Sequence, residues 1–275
     1  MKIAIQGELG SFSHQAALRA VPDATVVPCI LSADAFDRLR KGKVDAIMIP
    51  IENSLAGSVV EHHDLLRENA VFIEGETVIR IEHHVIGMPG SNLEEVQRIY
   101  SHPVALAQCR SFFEQHLGIE PIAFYDTAGA VKQIIQLRDR HSAAIAGMQA
   151  ADIYGGVVLV EGVEDDAANF TRFLMVREGT PSSRPEGAHK LSLCCRPQHR
   201  PGGLAALLQV LASAGGNVTM LQSRPIHGRP WHYHFFIDAL MPDAAASERV
   251  LDQLSGLSAA CKVLGRFLPA PEQRA

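Results

Sequence analysis

The sequence predicts an α/β protein, with a two-part α/β region followed by a smaller βαββαβ domain. Three observations carry this. Short apolar runs alternate with helical segments over the first part of the chain. A stretch rich in Gly, Pro and Ser, REGTPSSRPEGAHK, breaks that rhythm. The roughly eighty residues beyond it read strand, helix, strand, strand, helix, strand, a ferredoxin-like order.

In the first part KIAIQG is a strand, followed by a Gly-Ser loop and a helix from about His14 to Ala20. TVVPC is a strand, and SADAFDRLRKG combines a Ser32 cap signal, a helical body and a Gly42 stop. DAIMIPI is nearly all apolar, as a parallel strand covered on both faces must be. The alternation returns through RIYS, ALAQCRSFFEQHL, PIAFYD, TAGAVKQIIQLRDR and AAIAG. Between them VFIEGETVIRIEHHVIGMP is a hairpin or a crossover between two lobes. VDAIMIPIENSLAG and HSAAIAGMQAADIYG echo each other, an apolar strand then a polar turn into a helix. After the interruption come strand HKLSLCC, helix GGLAALLQVLASA, strands NVTMLQSR and WHYHFFIDA, helix AASERVLDQLSG and strand CKVLGRFL.

Length and composition exclude several classes. A chain of 275 residues that is 47% hydrophobic can bury sizeable cores. Its formal charge of −5 is spread with mixed sign, so no basic stripe offers a nucleic-acid surface. No apolar run approaches a membrane span or a signal peptide, which predicts a cytoplasmic protein. Five cysteines, Cys29, Cys109, Cys194, Cys195 and Cys261, lack regular spacing and are expected as free thiols in a reducing compartment. The thirteen histidines include the pairs His62–His63 and His83–His84, neither with helical metal spacing. They are expected at the surface, with no metal site and no cofactor.

Candidate chemistry gathers at strand ends, where open α/β sheets bind ligands. GELGSFS follows the first strand without a dinucleotide fingerprint. Gly10, Ser11 and Ser13 there either meet an anion at a helix N-terminus or close a tight turn capped by Ser13. PIENSLAGSV places Glu52, Asn53, Ser54 and Ser58 at the third strand's end, equally a ligand loop or a capped turn. SHPVALAQC offers Ser101, His102 and Gln108, and YDTAGA offers Asp126 and Thr127, whose default role is capping. ANFTRFLMV reads as a core strand carrying Thr171, Arg172 and Phe173, and a buried arginine requires an anion. Hydroxyls, amides and one arginine, with no nucleophile–base pair, suit a small polyanion held electrostatically.

The motifs GSFS, PIENSLAGSV, SHPVALAQC, DTAGA and NFTRFL occur in that order, followed by RPGGLAALLQVLASAGGNVTMLQSRP. With them the chain resembles the monofunctional prephenate dehydratases over nearly its whole length, including a C-terminal ACT regulatory domain. The resemblance implies a type II periplasmic-binding-protein-like catalytic domain of two lobes at 1–178, lobe one at about 1–76 and 160–178 and lobe two at about 77–159. It implies a linker at 179–188 and the ACT domain at 189–268. It also implies the reaction, loss of carbon dioxide and hydroxide from prephenate to give phenylpyruvate in phenylalanine biosynthesis. As catalytic residues it implies Thr171, Arg172, Asn53, Ser54, Ser101 and Gln108, and as a substrate contact Asp126, at a position that varies between Glu and Asp. Substrate contacts are expected from Ser11, Phe12, Ser13, Glu52, Gly57, Thr127 and Phe173. L-phenylalanine is the expected allosteric ligand, at Pro201, Gly202, Gly203, Leu204, Asn217, Val218, Leu221, Gln222 and Ser223, and a homodimer or homotetramer through ACT domains is expected. Two positions depart from the family pattern: Gly203 replaces an alanine, and Gln222 replaces a glutamate. Arogenate dehydratase and a non-catalytic amino-acid sensor are the competing functions.

Overall fold

A computed structural model describes residues 1–180, 187 and 189–271. In chain order it runs β1 (Lys2–Gln6), α1 (Phe12–Ala20), β2 (Thr25–Cys29), α2 (Ser32–Arg40), β3 (Ala46–Asn53), β4 (Gly57–Ser58), α3 (Val60–Glu68) and β5 (Val71–Arg80). There follow β6 (His84–Gly87), β7 (Arg98–Ser101), α4 (Pro103–Ala107), α5 (Arg110–Gln115), β8 (Glu120–Ala123), α6 (Thr127–Leu137), β9 (Ser142–Ala146), α7 (Met148–Tyr154), β10 (Val157–Val160) and β11 (Phe170–Glu178). The last part is β12 (Lys190–Pro197), α8 (Gly203–Ser213), β13 (Asn217–Ile226), β14 (Arg229–Leu240), α9 (Ala244–Leu257) and β15 (Ser258–Phe267). The chain forms two compact units, Met1–Gly57 with Thr77–Phe173, and Ser58–Glu76 with Leu174–Glu272. Of the linker expected at 179–188, only Gly179, Thr180, Gly187 and nothing else lies among the described residues.

The first unit holds two sheets built alike. One runs β11-β3-β1-β2, with β4 beside β3, and the other runs β10-β6-β9-β7-β8. In each, the first strand pairs in parallel with both the second and the third, β1 with β2 and β3, β7 with β8 and β9. The two sheets thus share one parallel strand plan, and the two echoing segments hold matching places in them as β3 and β9. VFIEGETVIRIEHHVIGMP is a crossover, since β5 and β6 belong to different sheets.

Burial on both faces explains why the central strands carry so few polar residues. Along β9, Ala143 and Ile145 enter one core with Ile99 and Phe112, while Ala144 and Ala146 enter another with Val131 and Ile134. Strand alternation sends neighbours to opposite faces, and helices cover both.

The second unit contains the expected βαββαβ domain. Its sheet order is β13-β14-β12-β15-β5, antiparallel from β13 to β15. Leu191, Leu193, Cys195 and Ile237 face Leu207, Leu211, Val250 and Leu254 of α8 and α9. The opposite face meets α3: His63 packs edge-on against Phe236 at 4.9 Å. Lys262 caps the C-terminus of α3 through the carbonyls of Leu66, Arg67 and Asn69, where a cation also suits the helix dipole. These contacts explain why residues 58–76 group with the second unit.

Two sequence expectations are corrected. Cys195 and Cys261 form a disulfide, leaving Cys29, Cys109 and Cys194 free. The two face each other across β12 and β15 with Cα atoms 4.2 Å apart, a juxtaposition created by register and invisible in a separation of 66 residues. The paired histidines are not at the surface either. His62, His63, His83 and His84 are all buried, as is His14.

Candidate active site

The site grows from the ends of β3 and β11. Alternation along β11 sends Thr171 and Arg172 to opposite faces, and their partners on β3 separate in the same way. Asn53 donates from Nδ2 to Thr171 Oγ1 at 2.9 Å, while Arg172 Nη2 lies 3.8 Å from Glu52 Oε2. Glu52 is thus one carboxylate within ion-pair reach of the largely buried arginine.

Asn53 is held in one orientation. Its Oδ1 accepts the backbone N–H groups of Leu55 and Ala56 at 3.0 and 2.7 Å. Its Nδ2 also donates to Asn169 Oδ1 at 2.7 Å and to the Phe170 carbonyl at 3.2 Å. Asn169, fully buried, donates onward to Gln108 Oε1 at 3.0 Å, and Gln108 Nε2 reaches back to Asn53 Oδ1 at 3.4 Å. Ser54 fastens the two strand ends, accepting from Phe170 N and donating to the Ala168 carbonyl, both at 2.9 Å. Because Thr171 Oγ1 already accepts a hydrogen bond, its own proton is available to donate to another group.

A second cluster assembles around the Gly7–Ser13 loop. Ser11 caps α1, accepting from His14 N, and His14 Nδ1 accepts from Gly10 N at 2.9 Å. Asp126 caps α6, accepting from Gly129 N at 2.7 Å, with Thr127 as the first helical residue. Burial pushes the Asp126 carboxyl above its ordinary range. A Cβ on Gly7 would lie 2.5 Å from Asp126 Oδ2, so glycine is required there, where φ is +96°. Glu8 accepts from Tyr125 and Lys132 at 3.0 and 2.9 Å, and burial, followed by the hydrogen bond to Glu8 and its charge, raises the Tyr125 hydroxyl to about 12. Phe12 lies edge-on to His83 with ring centroids 5.7 Å apart.

The predicted residues are therefore brought together unequally. Thr171, Asn53, Gln108 and Ser54 form one hydrogen-bonded group. Ser11, Phe12 and Asp126 belong to the second cluster, and Ser13 is buried on α1 nearby in sequence. Gly57 opens the short strand β4, exposed and at φ +81°. Ser101 is not joined to either cluster: it is fully buried and donates to the Ile145 carbonyl at 2.6 Å, tying β7 to β9. Phe173 is only 2% exposed and packs in the core, because it shares a strand face with Thr171 but points one position deeper. Asn169 and His83 join the candidate group by hydrogen bonds, and sequence reasoning missed both. Asn169 opens the NFTRFL motif, and a polar residue leading an apolar strand was the available signal.

In the second unit Pro201 and Gly202 precede α8, Gly203 and Leu204 begin it, and Asn217, Val218, Leu221, Gln222 and Ser223 lie along β13. Gln222 Nε2 donates to the Ser223 carbonyl at 2.9 Å. A Cβ on Gly203 would fall 2.3 Å from the Gln198 carbonyl oxygen, so the turn from Gln198 to Gly203 is drawn tighter than an alanine allows. Gly203→Ala, although it restores the family residue, is expected to destabilise the second unit by about 1–3 kcal/mol through overpacking. A lowered thermal midpoint checks this, and an unchanged one would show the turn relaxing freely.

The prephenate dehydratase family description matches residues 3–181, and the ACT domain description matches residues 197–255. The chain is 36% identical to the bifunctional N-acyl-homoserine lactone acylase/prephenate dehydratase of Komagataeibacter europaeus, over 99% of this chain and 97% of that one. It is 34% identical to arogenate dehydratase/prephenate dehydratase 2 of Arabidopsis thaliana, over 97% of this chain and 72% of that one. Among solved structures, the prephenate dehydratase of Arthrobacter aurescens in complex with L-Phe aligns with a TM-score of 0.90 at 32% identity, covering 100% of this chain and 92% of that one. With this family match and these relatives, the chain belongs to the prephenate dehydratase family, with an ACT domain at its C-terminal end.

Proposed function

We propose that the chain converts prephenate to phenylpyruvate, carbon dioxide and water, and that Thr171 serves the departing ring hydroxyl. The observation that carries this is the polarity of the Asn53 amide. With Oδ1 fixed by two backbone N–H groups, Nδ2 must face Thr171 Oγ1, so the threonine proton points to the substrate. As the ring carboxylate leaves as carbon dioxide, its bonding electrons enter the ring and the carbon–oxygen bond to the hydroxyl breaks. The hydroxide takes up one proton overall, donated through Thr171 and replaced from solvent. Rearomatisation drives the reaction forward. Arg172 is the cation for a substrate carboxylate, which would replace Glu52 as its partner. One such contact contributes roughly 1.5–3 kcal/mol, so alignment of the breaking bond by the whole amide group supplies much of the rest. Domain limits of 1–178 for catalysis and 189–268 for the ACT domain go with this reading.

Arogenate is the second reading, favoured by Glu52: a partly exposed carboxylate beside Arg172 suits the ammonium group that distinguishes arogenate. Comparing kcat/KM for the two substrates tests the assignment, and the larger value on prephenate is expected.

L-phenylalanine is the proposed regulator, acting at the loop before α8 and along β13. The outer edge of β13 ends the sheet among the described residues, and Leu221 is 44% exposed on it, which suits pairing with a second copy of the chain. Arg224, in the same QSRP segment, donates to Asp64 through Nε at 3.2 Å and Nη2 at 2.5 Å. Asp64 lies on α3, and the chain runs directly from Asn53 and Ser54 through Gly57 and Ser58 into that helix. Asp64→Asn is therefore expected to weaken phenylalanine inhibition about 5-fold or more while basal kcat is kept. Phenylalanine titrations of activity check this. Unchanged inhibition would remove Asp64 from the coupling.

A further inference from the structure

The amide group around Thr171 has a direction, and the direction can be followed to its source. Asn53 is fixed by the Leu55 and Ala56 N–H groups, so its Nδ2 faces Asn169, whose oxygen must accept. Asn169 therefore presents its own Nδ2 to Gln108, whose oxygen must accept in turn. That same Gln108 Oε1 lies 3.2 Å from His83 Nε2. Two lone-pair atoms cannot face each other at that distance, so His83 Nε2 must carry a proton.

Everything around the ring holds it in that pose. The His83 backbone N–H donates to Glu164 Oε2 at 2.8 Å, and its carbonyl accepts from Val163 N at 2.8 Å. Phe12 stands edge-on to the imidazole. The residue is 2% exposed, and its Nδ1 is buried without a hydrogen-bond partner among the described residues. An unpartnered, buried Nδ1 is tolerable as a bare lone pair and costly as N–H, which selects the same tautomer. Burial also holds the imidazole below its ordinary pKa and keeps it neutral.

We propose that His83, as the neutral Nε2–H tautomer, is a positioning residue for the dehydratase: it fixes the Gln108 amide and thereby the hydrogen-bond direction that leaves the Thr171 proton for the substrate. This rests on the dehydratase reading. Wild-type turnover of prephenate reports on that reading separately, before any variant is compared.

The test uses His83→Leu, His83→Gln and Gln108→Leu in the full chain, with kcat, KM and thermal midpoint measured for each. Glutamine places an amide N–H near the position of Nε2, whereas leucine fills the space without a donor. His83→Leu is expected to lower kcat roughly 5–30-fold with KM little changed, and His83→Gln to stay within about threefold of wild type. In the Gln108→Leu background, His83→Leu is expected to add less than about twofold, because the histidine acts only through the glutamine. The proposal is overturned if both His83 variants lose kcat equally, if His83→Leu keeps wild-type kcat, or if the two leucine substitutions multiply. Should His83→Leu fail to fold, His83→Gln decides alone: retained kcat supports the proposal, and a loss beyond tenfold refutes it.

Discussion

Thr171→Ala is expected to lower kcat for phenylpyruvate formation by about 10²–10⁴-fold, the range that a positioned proton donor contributes. KM should move far less, because the hydroxyl gains its partner only as the carbon–oxygen bond breaks. The fold should survive. Thr171 is 9% exposed, and its loss leaves Asn53 Nδ2 with Asn169 Oδ1 and the Phe170 carbonyl still accepting. Thr171→Ser keeps the hydroxyl but frees its χ1 rotation, so it should fall between the two. An alanine variant with near-wild-type kcat would move the proton donor elsewhere.

The largest effect on stability is expected at Lys190. Its Nζ donates to both carboxylate oxygens of Glu76, at 2.9 and 2.8 Å, and the side chains are only 8% and 3% exposed. Ala270 N adds a third hydrogen bond to the same carboxylate. Lys190→Met removes the Nζ donor from this carboxylate, and breaking a buried pair typically costs about 3–5 kcal/mol. The double variant Lys190→Met/Glu76→Leu should recover most of the loss, since an apolar pair of similar volume is often neutral. Urea unfolding of the two variants beside wild type checks both statements. A single variant as stable as wild type would contradict the expected loss.

How much of this was legible depends on how far apart the interacting residues lie. The parallel strands announced themselves: SAAIA has no polar residue after Ser142 because both its faces are covered. The strand-end motifs were legible because turns and caps are local, as Ser11, Asp126 and Ser54 show. Long-range pairings were not. Nothing near His83 in sequence announces Gln108, 25 residues away, and nothing near Asn169 announces Asn53, 116 residues away. His63 looked like a surface residue because its apolar partner, Phe236, is supplied by a strand much later in the chain. The disulfide between Cys195 and Cys261 escaped for the same reason, being a product of strand register. Phe173, two positions beyond Thr171 on β11, is already 2% exposed, a burial that only the assembled sheet sets.

The most direct measurement is steady-state formation of phenylpyruvate and carbon dioxide from prephenate by the purified full-length chain, with Thr171→Ala beside it. The account predicts equimolar products from the wild type and a kcat lower by at least about 10² in the variant. A folded, phenylalanine-binding wild type that forms no phenylpyruvate would contradict it.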